Sequence, residues 1–312
     1  MKEQSKLERL LNTSKFVVTA ELGPPKSVDT LIIDKKIDLL KGKVDAVNIT
    51  DNQTAIVRIS SIGTAFFVYN KGLEPIIQMT CRDRNRLAIQ ADLLGASLNG
   101  IRNLLCLTGD HQCFGNHPQA KLVFDVDSIQ LIKMVKDMKD QGIFQCGEPI
   151  KNSKKAEIMP PKFYIGGAAN PFAEPFEWRV ERLAKKIKAG VEFIQTQCIY
   201  DMECFAKWMK QVVARGLHEK VKILAGVTPL RSLGMAKYMK NNVSGVIVPD
   251  ALIKRIAQAS DARGEGIKIC VEQIKELQKM QGVSGVHIMA IEWEKAVPGI
   301  VEQAGLLPRP IV

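Results

Sequence analysis

Short apolar, β-branched runs alternate along this chain with longer stretches in which apolar residues recur at helical spacing. The runs predict strands at 16–22 (FVVTAEL), 46–50 (AVNIT), 75–80 (PIIQMT) and 103–108 (NLLCLT). A second set falls at 162–169 (KFYIGGAA), 193–197 (FIQTQ), 222–228 (KILAGVT) and 285–291 (GVHIMAI). Between them, Leu31, Ile32, Leu39 and Leu40 predict one helical stripe, Ile129, Leu131, Ile132 and Val135 a second, and Leu183, Ala184 and Ile187 a third. Strands that are nearly continuous apolar runs suit a parallel sheet covered by helices. Eight of them alternating with helices predict an α/β fold, a closed (β/α)8 TIM barrel forming a single domain over 1–312. An open doubly wound sheet is the competing arrangement. It is disfavoured because no G-x-G-x-x-G follows the first strand, and Gly23-Pro24-Pro25 makes a poor phosphate cradle. Residues 111–125 read as a long loop after the fourth strand. Residues 141–161, with Gly, Pro and the lysines Lys151, Lys154 and Lys155, read as a surface insertion.

Composition narrows the class. Hydrophobic residues make up 46% of the 312 and charged residues 25%, enough to bury a large core. No stretch approaches the ~18 uninterrupted apolar residues of a membrane helix, and the charged start lacks the apolar core of a signal peptide. A cytoplasmic protein with no membrane insertion is expected. The seven cysteines are scattered and form no C-x-x-C, so neither a disulfide framework nor a zinc or iron–sulfur ligand set is expected. Cys106 and Cys198, inside apolar runs, read as buried structural thiols. Of the four histidines, His111 and His117 fall in a loop, His218 reads as surface and His287 lies in the last strand, a poor basis for a metal site. The net charge of +11 suits an anionic small substrate or an acidic partner. Nucleic acid is the weaker reading, because aromatics are only 6% and do not interleave with the basic residues.

In a barrel, polar residues at strand C-termini face the mouth, where such enzymes work. In chain order these are Glu21, Thr50 with Asp51 and Asn52, Gln78 and Thr80, Thr108-Gly109-Asp110, Ala168 to Asn170, Thr196-Gln197, Thr228 and Glu292. A solvated strand end explains any one of them but not the recurrence. Two carboxylates stand out. Glu21 closes the first strand in an apolar setting, where partial burial would raise its pKa and suit it to general-acid work. Asp110 follows Gly109, whose missing side chain would let a planar ring approach the backbone. A satisfied structural acid at Glu21 and a helix cap at Asp110 are the plainer alternatives.

The segment TAELGPP (19–25) resembles the signature of the methylenetetrahydrofolate reductase family, in which a glutamate precedes a proline doublet. The resemblance continues through VNIT (47–50), QMTC (78–81), LTGD (107–110), KKIKAG (185–190) and TQ (196–197), in the family's order, over essentially the whole chain. It implies a flavin in the barrel mouth whose N5 passes a hydride to the methylene carbon of 5,10-methylenetetrahydrofolate, giving 5-methyltetrahydrofolate. Carried over, Glu21 is the acid that opens the imidazolidine ring, and Asp110 stands near the flavin pyrimidine edge and the pterin. Gln197 is a folate ligand, and Leu233 takes the place of a folate-side aromatic. Thr50, Gln78, Thr108, Gly109, Ala168 and Asn170 occupy flavin-contacting positions, with Lys186 near the flavin phosphates.

The departures are also informative. Gln78 replaces a histidine and Thr108 an arginine, and residues 168–173 replace a Y-P-x-x-H-P segment. FAD is the family's implied cofactor, but these losses along the dinucleotide track make FMN a serious competitor. HIMAIEWEKAVP (287–298) resembles the enzyme type of acetogenic bacteria, which implies a cysteine-rich partner subunit carrying zinc or iron–sulfur centres, and a homo- or hetero-oligomer. Two further readings stay open: a folate-dependent barrel lyase or methyltransferase without flavin, and a basic binding protein for RNA or an acidic partner.

Overall fold

The computed structural model describes residues 4–312. In chain order its elements are α1 (Lys6–Asn12), β1 (Val17–Leu22), α2 (Thr30–Leu40), β2 (Ala46–Ile49), α3 (Ser61–Asn70), β3 (Pro75–Thr80), α4 (Arg86–Leu98) and β4 (Asn103–Leu107). Next come α5 (Ser128–Asp140), β5 (Tyr164–Ala169), α6 (Trp178–Ala189), β6 (Phe193–Cys198), α7 (Met202–Ala214), α8 (Leu217–Lys220) and β7 (Lys222–Val227). The chain ends with α9 (Leu233–Asn242), α10 (Asp250–Gln258), α11 (Ala262–Leu277), β8 (Val283–Ile288) and α12 (Val297–Gln303). The strands are parallel and close in sequence order, with β8 pairing onto β1, so the (β/α)8 barrel is the fold. All eight predicted strands form, with bounds shifted by three residues at most.

Side chains alternate along each strand, and that period decides what fills the barrel. Val18, Ala20, Leu22, Val47, Ile49, Ile77, Met79 and their equivalents face outward and are buried under the helices. Val17, Ala46, Ile76, Leu105, Tyr164, Phe193 and Leu224 face inward and fill the N-terminal end of the barrel, where Leu7, Leu10 and Leu11 of α1 join them as a plug. Gly166 is the inward residue of β5 beside Phe193. A Cβ there would come within 2.3 Å of the Phe193 ring, so the strand gives up a side chain to seat the aromatic. At the same end, the Arg309 guanidinium pairs with the buried Asp45 carboxylate and donates to the Phe16 carbonyl at 2.7 Å. Asp45 in turn accepts from the Val18 amide at 2.8 Å, tying the C-terminal tail to β1 and β2.

One predicted stripe is corrected. On α2 the buried residues are Ile33, Ile37 and Leu40, whereas Leu31, Ile32 and Leu39 are exposed. Positions 33, 37 and 40 follow the i, i+4, i+7 line of one helix face, while neighbours such as 39 and 40 point about 100° apart. The long connection 141–161 lies between α5 and β5, at the end of the barrel away from the mouth, and its Ile143 and Pro149 form an isolated bridge. His218, expected at the surface, is half-buried, and its side chain packs beside Gly282. No helix of the described residues is long and apolar enough to cross a membrane.

Candidate active site

Above the apolar plug the inward positions turn polar. Asn48 and Gln195 exchange amide hydrogen bonds across the barrel, at 2.5 and 3.0 Å. Gln195 Nε2 also donates to Thr19 Oγ1 at 3.3 Å, and that hydroxyl stands 2.9 Å from His287 Nδ1. All four side chains are buried and hydrogen-bonded. Burial pushes His287 down to about 3, so its ring is neutral. This layer is the floor of a cavity of about 340 Å³ at the C-terminal ends of the strands.

The wall combines three chemistries. Leu105, Leu107, Ala168, Ala169 and Met289 supply apolar surface, and Gln78, Asn170, Gln195 and Gln197 supply amides. Glu21, Arg182 and Lys186 supply charge. Lys186 is buried and donates to the Ala168 carbonyl at 2.5 Å. Its pKa is lowered to about 8, first by burial and then by the neighbouring Arg182 cation. Arg182 stands one turn earlier on α6, so an i, i+4 pair of cations meets the cavity on one helix face.

Glu21 is the inward residue near the end of β1 and is only partly exposed. Burial pushes its carboxyl group up to about 7, with the Glu294 carboxylate adding to the rise and the Lys36 ammonium opposing it. Lys36 ion-pairs with Glu294 and donates to the Gly23 carbonyl at 3.0 Å. A group of this kind carries a proton near neutrality and can release it, as a general acid must.

An irregularity in β6 shapes the opposite wall. The pairing register with β7 shifts between Gln195 and Cys198, and Thr196 Oγ1 accepts from the Gly226 amide at 2.8 Å. A Cβ on Gly226 would come within 2.3 Å of the Thr196 carbonyl and 2.9 Å of the Gln197 carbonyl. The glycine therefore admits the irregularity, and the irregularity brings Gln195, Thr196 and Gln197 together on the cavity wall. Gln197 Oε1 accepts from the Cys198 amide at 3.0 Å, leaving its NH₂ group for the cavity.

Of the residues expected to act, the structure gathers Glu21, Gln78, Thr108, Ala168, Asn170, Lys186 and Gln197 around this cavity. Four others stand off its wall. Thr50 follows β2 and is buried, its hydroxyl without a hydrogen-bond partner among the described residues. Gly109 has φ +94°, and a Cβ there would press on Thr80 and Arg82 at 3.0 and 3.2 Å, so its glycine serves the chain's own turn. Asp110 is exposed beyond Thr108, and its carbonyl, not its carboxylate, accepts from Arg82 at 3.2 Å. The helical turn that follows is capped by His111, so Asp110 is not its cap. Leu233 opens α9 and packs against the separate apolar cluster that includes Tyr200 and Leu230.

Another strand-exit residue, Asp51, has structural work. Asp51 accepts from the Thr80 amide and hydroxyl at 3.0 and 2.9 Å and pairs with Arg84 at 2.8 Å, so it fastens the rim. Glu292 is exposed at φ +52°, and it is the Glu294 carboxylate, paired with Lys36, whose charge acts on Glu21. The sequence reading did not single out Gln195, His287, Arg182, Met289, Lys36 or Glu294 as site residues. Strand alternation through Gln197 leads to Gln195, and helical spacing back from Lys186 leads to Arg182. Nothing local links Lys36 to Glu294.

The described residues hold no group of three or more His, Cys, Asp or Glu placed to bind a metal ion. The chain is similar to methylenetetrahydrofolate reductase 2 of Schizosaccharomyces pombe, with 26% identity over 75% of this chain and 36% of that protein. It is also similar to methylenetetrahydrofolate reductase 2 of Saccharomyces cerevisiae, with 28% identity over 76% of this chain and 37% of that one. The chain thus spans a little over a third of the length of these curated relatives. Among solved structures, a Clostridium thermocellum protein described as binding two copies of 5-methyl-5,6,7,8-tetrahydrofolic acid shares the fold. Its TM-score is 0.66 at 16% identity, covering 94% of this chain and 98% of that one. The family profile described as methylenetetrahydrofolate reductase matches residues 6–305, and the chain belongs to that family.

Proposed function

We propose that this chain is a flavin-binding catalytic subunit that reduces 5,10-methylenetetrahydrofolate to 5-methyltetrahydrofolate. The observation that carries the reading is Glu21, a carboxyl group raised to about 7 in the wall of the cavity. The donor set suits a flavin. Leu105, Leu107, Ala168 and Met289 offer apolar surface to a planar ring, and Gln78 and Asn170 offer amides to its edges. The unpartnered Thr50 hydroxyl is a further polar group close to the mouth. Arg182 and Lys186 provide two adjacent cations for a flavin phosphate, FAD by the family resemblance or FMN. When bound, the flavin supplies the hydride.

The chain's own residues then have distinct tasks. Glu21 holds a proton near neutrality and delivers it to the folate nitrogen that leaves the methylene carbon, opening the five-membered ring. The free NH₂ group of Gln197 orients the pterin. Asp110, a carboxylate just past Thr108 on the rim, suits the polar edge of the same ring. The apolar band and the deep floor keep water from the reacting carbon. Electrons come from a donor, and the resemblance of 287–298 favours a cysteine-rich zinc or iron–sulfur partner. The net charge of +11 would steer an acidic protein toward this chain.

The test is a half reaction. The purified chain is loaded with flavin, reduced anaerobically and mixed with 5,10-methylenetetrahydrofolate while flavin absorption is followed. Reoxidation with formation of 5-methyltetrahydrofolate is expected, and Glu21→Gln should bind flavin normally yet slow this step by ~10²–10⁴-fold. A chain that takes up no flavin would return the reading to a folate lyase or methyltransferase. Comparing NADH with reduced ferredoxin, with and without the co-purified partner, tests the donor. Fast NADH turnover by the chain alone would remove the partner from the scheme.

A further inference from the structure

Glu21 has two charged neighbours to which neither the residues nor the resemblance assigned a role. Lys36 lies on α2, and Glu294 opens the short 3-10 turn Glu294–Ala296 that follows β8. The two are 258 positions apart in the chain, yet their side chains form an ion pair with only 21% and 12% exposure. The same Lys36 ammonium donates to the Gly23 carbonyl at 3.0 Å, two residues beyond Glu21. This one contact therefore joins the exit of β1, the helix after it and the turn after β8. Because β1 and β8 are the pair that closes the barrel, it lies over the closing seam at the mouth.

We propose that Glu294 and Lys36 are a pair of positioning residues for Glu21, latching the strand exit that carries it and setting one charge of each sign beside its carboxyl group. The catalytic consequence rests on Glu21 being the proton donor proposed above; the latch and the charge balance are properties of the free chain. The two charges act in opposite senses on Glu21: the Glu294 carboxylate resists its ionisation and the Lys36 ammonium favours it. The remaining groups that face Glu21 are the same in either variant of the pair. His287 below it is neutral, and the Cys198 thiol on β6 is pushed up to about 12 by burial and stays protonated. Gln78 and Gln197 are uncharged, and Arg182 and Lys186 belong to α6, elsewhere on the cavity wall.

Removing one partner leaves the other unbalanced. Glu294→Gln leaves the Lys36 charge unanswered, and Glu21 should give up its proton more easily. Lys36→Met leaves Glu294 unanswered, and Glu21 should hold its proton more tightly. A contact that served only to hold the backbone would not separate the two variants in this way.

The measurement is a pH titration of the full chain, without flavin or folate, carrying ¹³C-carboxyl glutamate. The Glu21 resonance is identified by its loss in Glu21→Gln. We expect its midpoint to fall by roughly 1 pH unit in Glu294→Gln and to rise by a similar amount in Lys36→Met. Lys36→Arg, which keeps the charge, should leave the midpoint near that of the parent. If Lys36→Met does not fold, Lys36→Gln provides the same arm with a polar side chain. Midpoints that do not move, or that move in the same direction in both variants, would overturn the proposal. The rate of folate-dependent flavin reoxidation is then followed against pH in the same proteins. Opposite midpoint shifts with an unmoved rate profile would uphold the latch and remove Glu21 from the role of acid.

Discussion

Glu21 shows how much of one residue's chemistry depends on its surroundings. The same carboxyl group has a value of 4.5 when unperturbed and about 7 in the folded chain, with burial as the leading cause. The folded state therefore keeps a proton that the unfolded chain releases. By linkage, the contribution of Glu21 to stability is full below pH 4.5 and is lost as pH rises through about 7. Glu21→Gln removes that cost. The variant should be more stable than the parent at about pH 8, by up to about 3 kcal/mol and by less where solvent screens the charge. At about pH 4 the two should unfold alike, because the parent is then neutral too. Denaturant unfolding at the two pH values checks this, and an equal gain at both would trace to packing instead. Lys186 is perturbed in the opposite sense, its charge disfavoured first by burial and then by the Arg182 cation, with Asp127 favouring it.

Strands impose a period of two and helices a period of 3.6, and the elements of this chain are built on both. The first period puts Thr19, Asn48, Gln195 and His287 in one polar layer, each on a different strand. The second puts Arg182 and Lys186 on one face of α6. Between β6 and β7, Gly226 leaves room for the irregular stretch that presents Gln197. Gly226→Ala would set a methyl group against the Thr196 and Gln197 carbonyls. A cost of about 1–3 kcal/mol is expected, together with weaker folate binding as the Gln197 amide is displaced. Thermal unfolding and a folate titration read the two effects, and unchanged folate affinity in a destabilised variant would separate Gln197 from substrate. β8 stops at Ile288, within its apolar run, but most strand exits were legible in the sequence because the apolar runs end on polar residues. The stripe of α2 was not, since its exposed Leu31, Ile32 and Leu39 are as hydrophobic as its buried face.

At the scale of the whole molecule, the barrel is sealed at both ends by groups far apart in the chain. The mouth end carries the Lys36–Glu294 contact, and the opposite end carries the buried Asp45–Arg309 pair. Arg309→Met would leave Asp45 buried without its cation, and breaking a buried pair in this way typically costs about 3–5 kcal/mol. Flavin affinity of the folded protein should stay at the parent value, since the cavity wall holds neither residue. A loss of stability with intact flavin binding is the expected pair of results. A variant as stable as the parent would show that the tail does not clamp the barrel.

The sequence by itself determined the strands, their number and the polar residue at most exits, because these are written in local periods of hydrophobic and polar residues; at β8, which ends at Ile288, it misplaced the exit at Glu292. It also pointed to Glu21 as a candidate, because its apolar strand and the following Gly-Pro-Pro lie within a few positions of it. Only the tertiary structure decided which exit residues meet. Closure brought Glu21, Gln78, Lys186 and Gln197 to one cavity and left Asp110 exposed and Leu233 in a separate cluster. It also brought the Glu294 charge to bear on Glu21. The reason is physical. Burial and Coulomb interactions depend on distances across the folded barrel, and two charges 258 positions apart in the chain have no local pattern that joins them.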